Sequence, residues 1–144
     1  MPKPGPGPRR AAPAVRLVPA GAQDAVERAD ETVDQLLEAG RSPGDILVLT
    51  VGEPHPWQQH ELSFGEERYW AQLAEAADVF YADAATKRPL RRDVVVLVVN
   101  AAGGNRVAQA ATRAAERAGS LLVVCGGTDT VAPLFPGAER PVPA

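Results

Sequence analysis

Residues 93–126 read DVVVLVVNAAGGNRVAQAATRAAERAGSLLVVCG and decide the fold of this 144-residue chain. The runs Val94–Val99 and Leu121–Cys125 are short, apolar and rich in valine, which is typical of strands buried on both faces. Between them, an alanine-rich segment from about Ala102 to Ala118, followed by Gly119, predicts a helix. A strand, a helix and a second strand in this order predict two parallel strands joined by a crossover helix.

Shorter runs upstream predict three more strands, which cover Val15–Val18, Ile46–Val51 and Asp78–Tyr81. Their lengths of four to six residues are usual for strands. Helical stretches separate them, so strands and helices alternate along the chain. This alternation predicts a single α/β domain with a mostly parallel sheet of about five strands flanked by helices.

Two capping-box patterns indicate helix starts in the first half of the chain. Asp24 and Glu27 form the first pattern, ahead of an apolar stripe at helical spacing. Ser63 and Glu66 form the second, ahead of a helix that runs to about Ala76. In each pattern the first side chain is expected to accept a hydrogen bond from the backbone N–H three residues later.

Proline and glycine define the predicted limits of the domain. Residues 1–13 are rich in both and lack apolar periodicity, which predicts a disordered tail. Residues 131–144 contain four prolines and predict a second tail. The predicted α/β domain therefore spans residues 14–130.

The composition excludes several classes of protein. A net charge of −3 argues against non-specific duplex binding driven by overall charge. A single cysteine, Cys125, excludes a disulfide framework and a cysteine-based metal site. No apolar run approaches 18 residues and no secretory signal pattern is present, so we expect a soluble, cytoplasmic protein without a membrane partner.

A longer pattern resembles the C-terminal RecA-like motor subdomain of UvrD-like superfamily 1 DNA helicases. A P-G-D strand runs into a threonine and a glycine and then H-P, and a Tyr-Trp pair and D-V-F-Y follow. The matching residues are Pro43, Gly44, Asp45, Thr50, Gly52, His55, Pro56, Tyr69, Trp70 and Asp78–Tyr81. The resemblance covers roughly residues 15–127 and implies a RecA-like fold and a role beside nucleic acid or an ATPase.

The sequence departs from the family at its functional motifs. The family's K-G-L-E element, which contacts DNA backbone and nucleotide ribose, aligns with Arg88, Pro89, Leu90 and Arg91. Its glutamate is thus replaced by an arginine, which cannot accept a ribose hydrogen bond. The S-R-A-R-D motif aligns with residues 116–120, so the resemblance makes Arg117 the counterpart of the family's arginine finger. Its second arginine is replaced by Gly119.

No G-x-x-x-x-G-K-[ST] loop occurs in the chain. Without that loop there is no cradle for the phosphates of ATP. The chain alone is therefore predicted not to hydrolyse ATP, and any contact with ATP would come through a partner ATPase, with Arg117 acting in trans.

Two groups of residues are candidates for binding. The basic cluster Lys87, Arg88, Arg91 and Arg92 is a candidate for contacts with nucleic-acid phosphates or an acidic partner, although a solvated surface is the commoner role. Glycine-rich turns after the last two strands are candidates for an anion or nucleotide site. They comprise Asn100, Gly103, Gly104, Asn105, Arg106, Gly126, Gly127 and Thr128.

The histidines and tryptophans give weaker signals. His55 and His60 have the wrong spacing for one helix face, so no metal site is predicted. Trp57 and Trp70 are able to stack on bases, but packing is their commoner role. The first functional hypothesis is therefore a non-catalytic helicase-like accessory domain that contacts single-stranded nucleic acid or a partner ATPase. The alternative is an α/β domain that binds a small molecule or nucleotide at its glycine-rich turns.

Overall fold

The computed structural model describes residues 13–87, 90–100 and 104–139. Five strands form one sheet: β1 (Ala14–Val18), β2 (Ile46–Thr50), β3 (Phe80–Asp83), β4 (Arg92–Val98) and β5 (Ala118–Cys125). The helices of the described part are α1 (Ala25–Glu38), α2 (Pro56–Leu62), α3 (Glu66–Glu75), α4 (Gly104–Arg117) and α5 (Thr128–Val131).

All pairings in the sheet are parallel, and the strand order is β1-β5-β4-β2-β3. The sequence prediction of an α/β fold with about five mostly parallel strands is confirmed. From β2 the chain passes to β3 on one side of the sheet and then returns to β4 on the other side of β2. From β4 it continues in that second direction to β5, so the strand order reverses between β2 and β4. Such a reversal places the carboxyl ends of β2 and β4 next to each other at a crevice.

Helices cover both faces of the sheet. In β4, Val94 and Val96 pack in the cluster that contains α1, whereas Val95 and Leu97 pack in the cluster that contains α4. All four side chains are fully buried. This burial on both faces explains why the central strands read as continuous apolar runs rather than as an alternating pattern.

Several element boundaries differ from the sequence predictions. β3 begins at Phe80 rather than Asp78, because the Asp78 carbonyl accepts a hydrogen bond from the Arg92 side chain before strand pairing starts. Helix α4 ends at Arg117, and the next residue already pairs with Arg92 in the sheet. Gly119 therefore lies within β5. The prediction that this glycine closes the helix was wrong.

Neither predicted capping box forms. Asp24 is the N-cap of α1, but its side chain makes no capping bond. The N-cap of α3 is Gly65, with a φ of 109°, instead of Ser63. The Ser63 hydroxyl donates to the carbonyl of His60 and ends α2, a helix that the sequence analysis missed.

His55 explains why α2 starts where it does. Its Nδ1 accepts a hydrogen bond from the backbone N–H of Trp57 at 3.0 Å, and Pro56 occupies the first helical position. Since Nδ1 is the acceptor, Nε2 carries the ring hydrogen and donates it to Asp30 Oδ1 at 2.8 Å. Histidine thus replaces the usual serine or aspartate cap and ties α2 to α1.

The segment after residue 130 belongs to the domain as far as Glu139, although it was predicted to be a tail. Val131 is fully buried. The backbone of Glu139 exchanges hydrogen bonds with Val15 and Leu17 at 2.8 Å, and its carboxylate pairs with Arg16. The four prolines suggested disorder, but hydrogen bonding along β1 holds this segment. The predicted tails at residues 1–12 and 140–144 lie outside the described residues.

The connection from β3 to β4 contains no helix in its described part. Arg117 provides hydrogen bonds to this connection, because it donates to the carbonyls of Thr86 and Leu90 at 3.1 and 3.0 Å. Arg92, at the start of β4, donates instead to the carbonyls of Ile46 and Asp78 at 2.9 and 2.7 Å. Backbone carbonyls that leave water need such partners. Arg117 therefore holds the crossover in place, and Arg92 joins the start of β4 to the start of β2 and to the segment before β3.

Cys125 gives the domain a stability that depends on pH. Burial raises the pKa of its thiol to about 11. In the unfolded chain a thiol ionises near pH 8.5, so at higher pH the unfolded state loses a proton that the folded state keeps. We expect full stability below about pH 8.5 and a loss of about 2 kcal/mol by pH 10.5.

Urea unfolding at pH 7.5 and pH 10.5 measures this loss, and Cys125→Ala is the control. The variant is expected to lose about 2 kcal/mol less than the parent between the two pH values, because it has no thiol to ionise. Equal losses in the two proteins would show that another group sets the pH dependence.

Candidate functional site

The crevice between the carboxyl ends of β2 and β4 is closed by Asn100. Its Oδ1 accepts a hydrogen bond from the backbone N–H of Gly52 at 2.8 Å, and its Nδ2 donates to the carbonyl of Glu53 at 3.0 Å. The side-chain amide therefore joins the two loops that leave the sheet at this point. Asn100 was predicted to contact an anion, but both ends of its amide already bind protein.

Beside this crevice, two arginines of α4 line a small cleft. The cleft has a volume of about 120 Å³ and lies between α4 and the turn that follows β3. Arg106 donates to the Val51 carbonyl at 3.0 Å, which fixes the guanidinium at the cleft. Arg113 lines the same cleft two helical turns further on. Neither arginine forms an ion pair with a described residue.

One carboxylate, that of Asp83, also lines the cleft. Its Oδ1 accepts the backbone N–H of Ala85 at 2.7 Å, so this oxygen is used within its own turn. The two guanidinium groups therefore leave a local excess of positive charge. Arginine binds phosphate and carboxylate groups through paired N–H donors. The geometry suits a singly or multiply charged anion.

The glycine-rich turns contribute less than was predicted. Gly104 and Asn105 are exposed in the first turn of α4, next to Arg106, whereas Gly103 lies outside the described residues. Gly126 is buried, and its N–H donates to the Val18 carbonyl. A Cβ at Gly126 would lie 2.8 Å from the Val99 carbonyl oxygen, at a φ of 89°. This glycine therefore serves close packing.

The second turn continues with Gly127 and Thr128. Gly127 also has a positive φ, and its carbonyl accepts the N–H groups of Thr130 and Val131. Thr128 opens α5, which is only four residues long. These contacts account for both residues by local structure, so of the predicted anion site only the first turn of α4 lies at the cleft.

The predicted basic cluster lies at the opposite edge of the sheet. Arg92 begins β4, and six residues of strand, or about 20 Å, separate it from the carboxyl end. It is 7% exposed and is held by the carbonyls of Ile46 and Asp78, above the ring of Phe80. Arg92 is therefore a structural residue and not a surface contact for nucleic acid.

The remaining members of the cluster differ in position. Arg91 is exposed and donates to the Glu116 carbonyl at 3.3 Å, and Lys87 is exposed in the crossover. Arg88 lies outside the described residues. The parallel sheet thus separates the two candidate groups, with the basic cluster toward the amino edge and the glycine-rich turns at the carboxyl edge.

Arg117 lies at the end of α4, also toward the amino edge. Both terminal nitrogens of its guanidinium donate to carbonyls of the crossover, as described above. Burial lowers the pKa of this group, and nearby Arg113 adds to that effect. The resemblance to the helicase family made Arg117 the counterpart of an arginine finger. In this structure its guanidinium donates to the backbone of its own domain.

The histidines lie near each other in sequence, yet only His55 is buried. Both nitrogens of His55 are used by Trp57 and Asp30. Among the described residues, no group of three or more histidine, cysteine or acidic side chains could hold a metal ion.

Arg113 was missed in the sequence analysis. Its only signal is the seven-residue spacing from Arg106, which places two residues on one helix face. That spacing is common in solvated helices. Only the turn after β3, which forms the other wall of the cleft, shows that the two arginines share a site.

Neither a scan of protein-family models nor a search of curated proteins finds a match for this chain. No helix in the described part is both long and apolar enough to span a membrane.

Proposed function

We propose that this chain is a non-catalytic, cytoplasmic binding domain, related to the second motor half of UvrD-like helicases, that contacts the phosphate backbone of single-stranded nucleic acid. The observation that carries the proposal is the pair Arg106 and Arg113. Both are exposed, both line one cleft near the topological switch point, and neither forms an ion pair with a described residue. The cleft thus holds two guanidinium groups and one carboxylate, that of Asp83.

The size of the cleft favours a phosphate group over a whole nucleotide. Pockets that enclose a drug-sized ligand usually have volumes of about 300–1,000 Å³. The cleft has about 120 Å³, well below that range. A phosphate fits this space, whereas the base and sugar of a nucleotide would remain outside it.

The spacing of the two arginines favours a chain of phosphates. Seven residues of α-helix separate their Cα atoms by about 10 Å along the axis. Two positive charges at this distance match successive phosphates of a chain better than they match a single small anion. A partner ATPase could present phosphates in the same way, but the long polyanion is the simpler ligand for an open, cationic helix face.

Fluorescence anisotropy with a labelled oligo(dT) at low salt tests the proposal. We expect binding that weakens as salt rises, because each phosphate contact releases counterions. Arg106→Gln with Arg113→Gln should weaken binding and lower the salt slope by about 1 for each arginine removed. Arg28→Gln with Arg41→Gln, which removes two charges away from the cleft, is the matched control and should leave the slope unchanged.

Two outcomes would contradict the proposal. The first is oligo(dT) affinity that is equal in the parent and in the Arg106/Arg113 double variant. The second is a rise in melting temperature with millimolar ATP or ADP but not with oligo(dT), which would favour a nucleotide site. That nucleotide site was the alternative hypothesis from the sequence.

A further inference from the structure

A large groove lies on the other face of the sheet, away from the cationic cleft. Its volume is about 810 Å³, and it lies between the end of α1 and the helices α2 and α3. The lining includes Val79 and Tyr81, the residue before β3 and a residue within it. On this face helix α1 packs on β4 and β5, whereas β3 is contacted by α2.

The groove exposes large apolar side chains. Trp57 is 54% exposed and Leu37 is 36% exposed, and both line it. Trp57 also starts a ridge of aromatic rings along α2. Its ring lies edge-on to the ring of His60, with 5.5 Å between the ring centroids. The rings of His60 and Phe64 are also edge-on, with centroids 5.2 Å apart. Clustered exposed aromatic residues commonly mark a surface that binds another molecule.

The rim of the groove is acidic. Glu61, Glu75 and Asp78 line it, and Arg68 is the single basic residue among the described lining residues. Two further carboxylates of α1 act on the floor of the groove. The pKa of Tyr81 is raised to about 12, mainly by burial. The negative charges of Asp30, Asp34 and Asp78 add to this effect. The floor therefore lies in a negative field.

These two properties identify the chemistry of the occupant. We propose that the groove binds a basic, amphipathic segment of a partner protein. Apolar side chains of that segment would pack against Leu37 and Trp57. Its lysine or arginine side chains would pair with Glu75 and Asp78 and lie over the face of the Trp57 indole, which attracts cations. The acidic rim would repel a nucleic acid, so this groove and the cationic cleft select different partners.

A labelled 18-residue peptide of leucine and lysine, patterned as an amphipathic helix, is the probe. The same peptide with glutamate in place of lysine is its control. Anisotropy should show binding of the lysine peptide that weakens with salt, and no binding of the glutamate peptide. Trp57→Ala is expected to weaken binding at least about tenfold, as buried aromatic contacts at interfaces usually do.

Charge variants test the acidic rim. Glu75→Gln with Asp78→Asn should weaken binding about fivefold, since each exposed ion pair contributes modestly. Asp78→Asn keeps the backbone carbonyl that Arg92 uses, so the fold is expected to remain intact. Glu116→Gln with Asp129→Asn removes the same charge from exposed positions outside the groove and should leave affinity unchanged.

Three results would overturn the proposal. The first is equal affinity for the lysine and glutamate peptides. The second is a loss of affinity in the Glu116/Asp129 control equal to that in the Glu75/Asp78 variant. The third is oligo(dT) binding that depends on Trp57, which would make the groove a nucleic-acid surface. If the oligo(dT) test of Arg106 and Arg113 fails while the peptide test succeeds, only the function at the cleft is lost.

Discussion

Arg92→Met is expected to lower the free energy of unfolding by about 3–5 kcal/mol. The guanidinium is buried and donates to the carbonyls of Ile46 and Asp78 at 2.9 and 2.7 Å, with a longer bond to Leu73. Methionine fills similar space but donates nothing. Each carbonyl that loses a charged donor away from water costs about 1–3 kcal/mol.

The neighbouring residue provides a matched control. Arg91 is exposed and makes one bond of 3.3 Å to the Glu116 carbonyl. Arg91→Met removes the same charge and is expected to change stability by less than about 1 kcal/mol. Urea unfolding midpoints, converted with a common m-value, measure both variants. Equal effects would show that the buried contacts of Arg92 do not stabilise the domain.

Gly44→Ala is expected to destabilise the domain by about 3 kcal/mol, because a methyl group has no space there. A Cβ at this position would lie 1.7 Å from the carbonyl oxygen of Ala76 and 2.6 Å from its carbonyl carbon. Both atoms belong to backbone. Ala76 itself has a φ of 50° at the end of α3, so it has little freedom to move aside.

Gly21→Ala is the control for this substitution. No atom lies within 4 Å of a Cβ built there. Alanine should therefore be neutral or slightly stabilising, since it reduces the freedom of the unfolded chain. Thermal unfolding of both variants, followed by circular dichroism, gives the comparison. If Gly44→Ala melts at the parent temperature, the close approach of the two backbones is absent in solution.

The sheet could be predicted because its information is local. Val94–Val99 and Leu121–Cys125 consist of residues that fit a pleated, doubly covered surface, and their alternation with helices fixes the layers. Helix α2 could not be predicted in the same way. Its cap is His55, which acts only because Asp30 of another helix holds its second nitrogen.

The candidate site was predicted less well than the fold, for a related reason. Arg92 and Arg117 look like surface charges in the sequence, and only the backbone carbonyls that they bind show that both are structural. Arg106 was named as a candidate in a glycine-rich turn, and the structure places it in a cleft together with Arg113, on the same helix. Which of these arginines bind backbone and which line the cleft depends on contacts between distant parts of the chain. Such contacts cannot be read directly from the sequence.

The position of β1 affects how the domain is made in the cell. Within the described residues this strand pairs with β5 and with the segment around Glu139, and the ion pair between Arg16 and Glu139 spans 123 residues of chain. A ribosome therefore releases β1 long before its partners exist. Contacts between residues so distant in sequence form slowly. Until then the newly made strand leaves its backbone groups unpaired, and such edges are prone to pair with other chains.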